Sequence, residues 1–305
     1  LRNAFWDCRE SDLKGADHVE ISEFTRMKVE VDAGVATITF NRPELRNVWA
    51  GPTSLEYRWA LHWCHTNPDV RVVVVTGERD FCVGADTKML DGIGQTGGTY
   101  EVKRQALPDF PPWTPAQLRH NHFYPLTIST PVIAAICGGC AGAGFLIASY
   151  ADIRFADAEA KIASAFAGMG LPAEYGIGWL LPRIVGMAKA AQLLYSPELI
   201  SAQRAAELGW VQQVSEPGEV VVDAVRYGQA LAAGSSAESL RMMKRQIFID
   251  SIFDYDDAYR TSVSEMNAAL SGPDFRAGVR AARNRERPNF LAPSDAVDGE
   301  NAPVE

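Results

Sequence analysis

The run "RVVVVTG", residues 71–77, constrains this chain more than any other stretch. Consecutive β-branched residues leave no polar face, so the run reads as a strand covered on both sides. That is the pattern of a parallel sheet flanked by helices. "PVIAAIC" has the same character, and "ADIRFA" and "AKIAS" read as two shorter strands. Upstream, "MKVEVDAGVATITFNRP" reads as two strands around a turn at Asp32-Ala33-Gly34. "TSLEYRWALHWCHTN" suits a helix. Leu55, Trp59 and Trp63 share a face, and Thr53 with Glu56 fits a capping box. From about residue 175 the pattern turns helical. Leu240, Met243 and Ile247 recur at helical spacing, and Gly272-Pro273 precedes a last helix. Strands separated by helices, then a helical C-terminal part, predict an α/β fold with a parallel-type sheet and an appended helical region.

With 305 residues, 47% of them hydrophobic, the chain can build one large core. No apolar run approaches the ~20 residues of a membrane-spanning helix. The N-terminal "LRNAFWDCRESDLKG" is charged and lacks a signal-peptide segment, so the expected location is cytoplasmic. A net charge of -9 disfavours nucleic acid and anionic membranes as partners. Arg276, Arg280, Arg283 and Arg287 fall on one helix face. They read as a solvated face, with contact to a phosphorylated ligand or acidic partner as the functional alternative. Residues 91–117 are rich in glycine and proline, as mobile active-site loops often are.

"ICGGCAGAGFL", residues 136–146, resembles several sites at once. Cys137 and Cys140 form a CxxC, but no second pair or histidine pair completes a zinc site. They read as two buried thiols where a strand meets a turn, and Cys8, Cys64 and Cys82 as packing residues. His62 and His65 share a helix face without a nearby carboxylate and read as solvated. Gly92-Ile-Gly94-Gln-Thr-Gly97 matches GxGxxG but lacks a strand directly before it, so it reads as a loop. GxSxG, HExxH and Walker A patterns are absent from the sequence.

"VVVVTGERDFCVGADTKML" and "PVIAAICGGCAGAGFLIASYADIRFA" together change the reading. With "ITFNRPELRN" before them and "ISAQRAAELGWVQQV" and "DFRAGVRAARNRERPNF" after, their order and spacing resemble the crotonase superfamily, the enoyl-CoA hydratase/isomerase family. The resemblance covers about residues 27–290. It implies a crotonase-like ββα spiral core over 26–215 and a C-terminal helical trimerisation region over 216–290. An N-terminal extension (1–25) and a polar tail (291–305) flank them. It implies a homo-oligomer, a trimer or dimer of trimers, acting on acyl-CoA thioesters. Coenzyme A then enters as part of the substrate, with no permanently bound cofactor and no metal. The family stabilises an enolate or oxyanion with two backbone N–H groups, which here fall on Ala85 and Ala143. Asp86, Thr87 and Lys88 would line the coenzyme A pocket.

The chain departs from the family's hydratases. Their two glutamates would fall at Leu146 and Phe166, and neither side chain can transfer a proton. Glu174, in "GLPAEYGIGWLLPRIVG", is the candidate acid/base, with capping of the following helix as its alternative role. Tyr175 reads as packing. His122 is a further candidate in the region that lines the acyl pocket, although it and His120 read as surface histidines. Phe110, Trp113 and Phe123 hint at a bulky or aromatic acyl chain, or are core. Three functions stay open: an enoyl-CoA hydratase/isomerase-family lyase or isomerase with non-standard acid/base residues, a non-catalytic acyl-CoA-binding protein, and a thioester or carbon–carbon bond hydrolase.

Overall fold

The computed structural model describes residues 21–86, 90–92, 95 and 107–290. Among them are nine strands: β1 (Met27–Asp32), β2 (Val35–Phe40), β3 (Val72–Gly77), β4 (Val132–Ile136), β5 (Gly139–Ala141), β6 (Ile153–Asp157), β7 (Lys161–Ala163), β8 (Ile200–Ser201) and β9 (Gln213–Ser215). The main sheet has the order β1-β2-β3-β4-β6-β9, and a second has the order β5-β7-β8. In the main sheet β1 and β2 pair antiparallel and every later pair is parallel. The hairpin turns on Ala33 and Gly34, with φ of 44° and 81°. Positive φ at both central residues matches the twist of the strands they join.

All six residues of β3 are buried. Val73 and Val75 enter the larger core, while Val72 and Val74 pack under the helix Val220–Gly234 with Val220, Ala224 and Ala232. The valine run is thus covered on both faces, as its composition predicts.

The helix Gly51–Thr66 buries Leu55 and Trp59. Its capping box does not form. Pro52 lies in the first turn and Ala50 is the N-cap, so Thr53 is already inside the helix. Glu56 instead accepts hydrogen bonds from the Thr25 N–H (3.1 Å), the Thr25 hydroxyl (3.0 Å) and the Arg26 N–H (2.7 Å). This ties residues 25 and 26 to the core. His62 and His65 are not solvated either. Their Nδ1 atoms lie 3.0 Å from the Tyr124 hydroxyl and 3.0 Å from the Ser129 hydroxyl respectively. Burial lowers both imidazoles, that of His65 to about 4.

Four helices, Val220–Gly234, Ala237–Phe248, Tyr255–Leu270 and Pro273–Asn284, form the C-terminal part. The expected apolar stripe on Ala237–Phe248 faces outward, with Met243 48% and Ile247 61% exposed. Lys244 is the buried residue instead. Its ammonium donates to the Pro125 carbonyl (2.7 Å) and Thr130 carbonyl (2.9 Å), and pairs with Asp152 Oδ2 at 2.8 Å. No described helix is long and apolar enough to cross a membrane.

Removing one member of a buried ion pair strands the other charge. Lys244→Met is expected to lower unfolding stability by about 3–5 kcal/mol in a urea titration. Adding Asp152→Asn to it should restore part of the loss.

Candidate active site

Two loops leave the C-terminal ends of β3 and β4, neighbours in the sheet. Each meets the other backbone to backbone. The Cys82 N–H donates to the Gly139 carbonyl (3.1 Å), and the Ala141 N–H donates to the Cys82 carbonyl (2.9 Å). On its other flank the same segment meets Trp49. The Trp49 N–H donates to the Gly84 carbonyl (2.7 Å), and the Asp86 N–H to the Trp49 carbonyl (3.3 Å). Since Gly84 and Asp86 turn those groups toward Trp49, the N–H of Ala85 between them faces the opposite side.

Gly142, with φ of 51°, turns the second loop into the helix Ala143–Ser149. A methyl on Gly142 would lie 3.5 Å from Gly84 Cα, and one on Gly144 would lie 2.0 Å from the Cys82 carbonyl oxygen. Glycine at these positions lets the segments touch. The N–H of Ala143 is an orphan donor of the first helical turn. Among the described residues, neither it nor the Ala85 N–H donates to an acceptor.

The helix is anchored by its apolar side. Phe145 stacks on Trp210 at 4.6 Å, and Trp210 Nε1 donates to the Ser149 hydroxyl at 3.0 Å. Leu146 is 1% and Phe166 3% exposed, so both positions where the resemblance looked for carboxylates are core. Cys140 is fully buried, and the Cys137 thiol donates to the Gly77 carbonyl (2.8 Å). Both thiols are free, and burial raises them above the ordinary cysteine value. No group of three described His, Cys, Asp or Glu residues could hold a metal ion.

One turn beyond Ala143, Ile147 lines a cavity with Trp49, Arg58, His122, Tyr124 and Tyr150. Ser54, Arg58, Asn121 and His122 are shared with a larger cleft of about 860 Å³, which Phe110, Phe123 and Tyr175 also line. Trp113 is not among the lining residues. It packs on His65 and donates from Nε1 to the Thr127 carbonyl (3.0 Å).

His122 is not a surface histidine. Its ring lies against Tyr175 with centroids 4.0 Å apart. Burial holds its imidazole down at about 4, so it is neutral near pH 7. His120 is exposed at the edge of the cleft.

Glu174 lies in the turn before the helix Ile177–Val185. Tyr175 has φ of 45°, a left-handed conformation unusual for a bulky side chain. Stacking on His122 holds it, as does a 2.6 Å hydrogen bond from the Tyr150 hydroxyl to the Tyr175 carbonyl. The Glu174 side chain does not cap the helix, whose N-cap is Gly176. It is partly buried and makes no hydrogen bond or ion pair to a described residue, and desolvation raises its pKa. Asp86 continues the segment after Ala85, while Thr87, Lys88, Gly94 and Gly97 lie outside the described residues. Arg276, Arg280, Arg283 and Arg287 are exposed.

Arg58 is the polar residue that sequence reasoning missed. It is 2% exposed, with its guanidinium between the rings of Phe110 (4.1 Å) and Tyr124 (3.4 Å). An arginine set among the apolar residues of a core helix was the available signal.

Known proteins share this fold. The enoyl-CoA hydratase/isomerase family model matches residues 30–290. A trans-2-decenoyl-[acyl-carrier-protein] isomerase of Streptococcus mutans is 28% identical over 88% of this chain and 98% of its own. A mevalonyl-coenzyme A hydratase of Aspergillus fumigatus is 29% identical over 84% of this chain and 91% of its own. The crystal structure of an enoyl-CoA hydratase from Polaromonas sp. JS666 superposes with a TM-score of 0.73 at 28% identity, covering 86% of this chain and 98% of that one. With the family model spanning most of its length and the same fold in solved relatives, the chain belongs to the enoyl-CoA hydratase/isomerase family of the crotonase superfamily.

Proposed function

We propose that the protein isomerises the double bond of an enoyl-CoA thioester, with Glu174 carrying the proton. The observation that carries this reading is a carboxylate with no partner among the described residues, in the turn bordering the cleft, while Leu146 and Phe166 are apolar core. The Ala85 and Ala143 N–H groups hold the thioester oxygen, and negative charge developing there meets fixed donors. Glu174 takes the proton from C2 of a 3-enoyl thioester, giving a dienolate, and returns it to C4. One carboxylate suffices, and no water is consumed. A hydration would ask for a second proton-transfer group to activate the water. The methyl of Ala143 narrows the approach to the thioester oxygen but leaves the N–H in place. An isomerase among the relatives supports the choice of reaction. Asp86, Thr87 and Lys88 contact coenzyme A in this reading. The exposed Met243, Ile247 and Tyr255 of the C-terminal helices support a homo-oligomer.

In deuterated water, uptake of deuterium into an enoyl-CoA is expected to fall about 10²–10⁴-fold in Glu174→Gln. Unchanged exchange would remove Glu174 from the mechanism. Tight binding with no exchange, hydration or hydrolysis on any thioester would favour a non-catalytic binder instead. The base must be ionised to accept the proton, and its pKa is raised. The rate should therefore fall as pH drops through a midpoint above the ordinary glutamate value of about 4.3, as a kcat/KM–pH profile reads. Light scattering on a sizing column should give a mass that is a multiple of 33.3 kDa.

A further inference from the structure

We propose that the acyl group bound here ends in a carboxylate, and that Arg58 in the cleft wall receives it. The inference rests on the acyl-CoA reading and deepens it.

Arg58 is buried on a core helix, yet no ion pair among the described residues includes it. Its Nη1 donates to Asn121 Oδ1 (3.1 Å) and its Nη2 to the Pro108 carbonyl (2.8 Å). Both acceptors are neutral, as is the Tyr124 hydroxyl that also interacts with the guanidinium, and Nε has no partner among the described residues. A guanidinium carries five N–H donors, so part of its capacity is unspent. Asp109 influences it electrostatically but is itself exposed and makes no ion pair with it. Burial lowers the guanidinium only to about 10, so it stays charged near neutral pH.

A buried charge without a counterion is unfavourable, and a carboxylate is the anion whose geometry a guanidinium matches. The surroundings agree. Arg58 lines both the inner cavity and the outer cleft. On the same wall are the imidazole of His122, with no hydrogen-bond partner among the described residues, and Asn121, which donates from Nδ2 to the Ser54 hydroxyl (3.2 Å). A hydrocarbon chain end would cover the guanidinium and the imidazole and satisfy neither.

Two other roles are separable. Arg58 could serve only to pin the segment at Pro108 and Phe110, which predicts no preference between chain ends. It could receive a phosphate of coenzyme A, which predicts weaker binding of coenzyme A itself when Arg58 is replaced.

The test is titration calorimetry of the full chain with matched saturated thioesters: succinyl- against butyryl-CoA, glutaryl- against pentanoyl-CoA, and adipyl- against hexanoyl-CoA. In at least one pair the carboxylate-ended member should bind about tenfold tighter or more, the scale of one charge-assisted contact. Arg58→Met should abolish the preference, Arg58→Lys should keep part of it, and coenzyme A alone should bind both variants as it binds wild type. Equal or tighter binding of the methyl-ended member in all three pairs overturns the inference. So does a preference that survives Arg58→Met, or loss of coenzyme A binding in that variant. Should Arg58→Met fail to fold, the wild-type ratios and Arg58→Lys decide. If no thioester binds at all, the acyl-CoA reading falls and this inference with it, an outcome distinct from equal binding.

Discussion

The contact between Gly144 and the Cys82 carbonyl is the constraint on which the site depends. A side chain there would collide with backbone, not with another side chain that could move. The close approach lets Cys82 form a parallel bridge with Cys140 of β5, while Ala85 bridges Trp49. The sheet explains why these two segments meet at all. They follow β3 and β4, which are adjacent and parallel, so both emerge at one edge. This is the edge where open parallel sheets place their ligand sites.

That arrangement provides dipoles before it provides side chains. Two N–H groups without acceptors among the described residues are held in place by backbone hydrogen bonds and by an apolar helix stacked on Trp210. In the proposed reading they need no reorganisation when charge develops on the thioester oxygen, which is where preorganised donors gain their advantage. The ionisable groups nearby are tuned in a consistent direction by burial. His122 is neutral, and Glu174 is more basic than a free carboxylate. Burial alone accounts for both shifts, and in the proposed mechanism it favours proton transfer by Glu174 over imidazolium chemistry by His122.

Much of this was legible from residue types. The valine run could only be a doubly covered strand, the hairpin turn was plain from spacing, and the resemblance to the crotonase superfamily pointed to the apolar residues at 146 and 166. What failed to show did so for physical reasons. Helical periodicity weighs apolar faces, so it placed Leu240, Met243 and Ile247 inward and overlooked Lys244, whose place is set by Asp152 and two carbonyls far away in sequence. Capping rules locate a helix start only when no stronger local element competes, and Pro52 did. His122 looked like a surface residue because its cover, Tyr175, arrives from more than fifty residues downstream through a positive-φ turn. Arg58 was passed over because charge on a core helix reads as an exposed position, whereas here the loop bearing Phe110 closes over it.

In the proposed reading Arg58 and Ala143 serve one site, and that limits the substrate further. Ile147 lines the same cavity as Arg58 and lies four residues along the helix from Ala143. At 1.5 Å per residue that is about 6 Å along the axis from the donor N–H. The cavity behind Ile147 is small, about 20 Å³, so in the proposed reading the chain end meets Arg58 from the larger cleft, which Arg58 also lines. A long acyl chain would have to run past a buried cation, whereas a short one can end on it. In that reading the cleft wall favours a compact acyl group with a polar end, and the missing second carboxylate accords with it. A substrate that brings its own anion into the cleft leaves little room there for another unpaired acid, since two such charges in a confined apolar site would each raise the other's pKa.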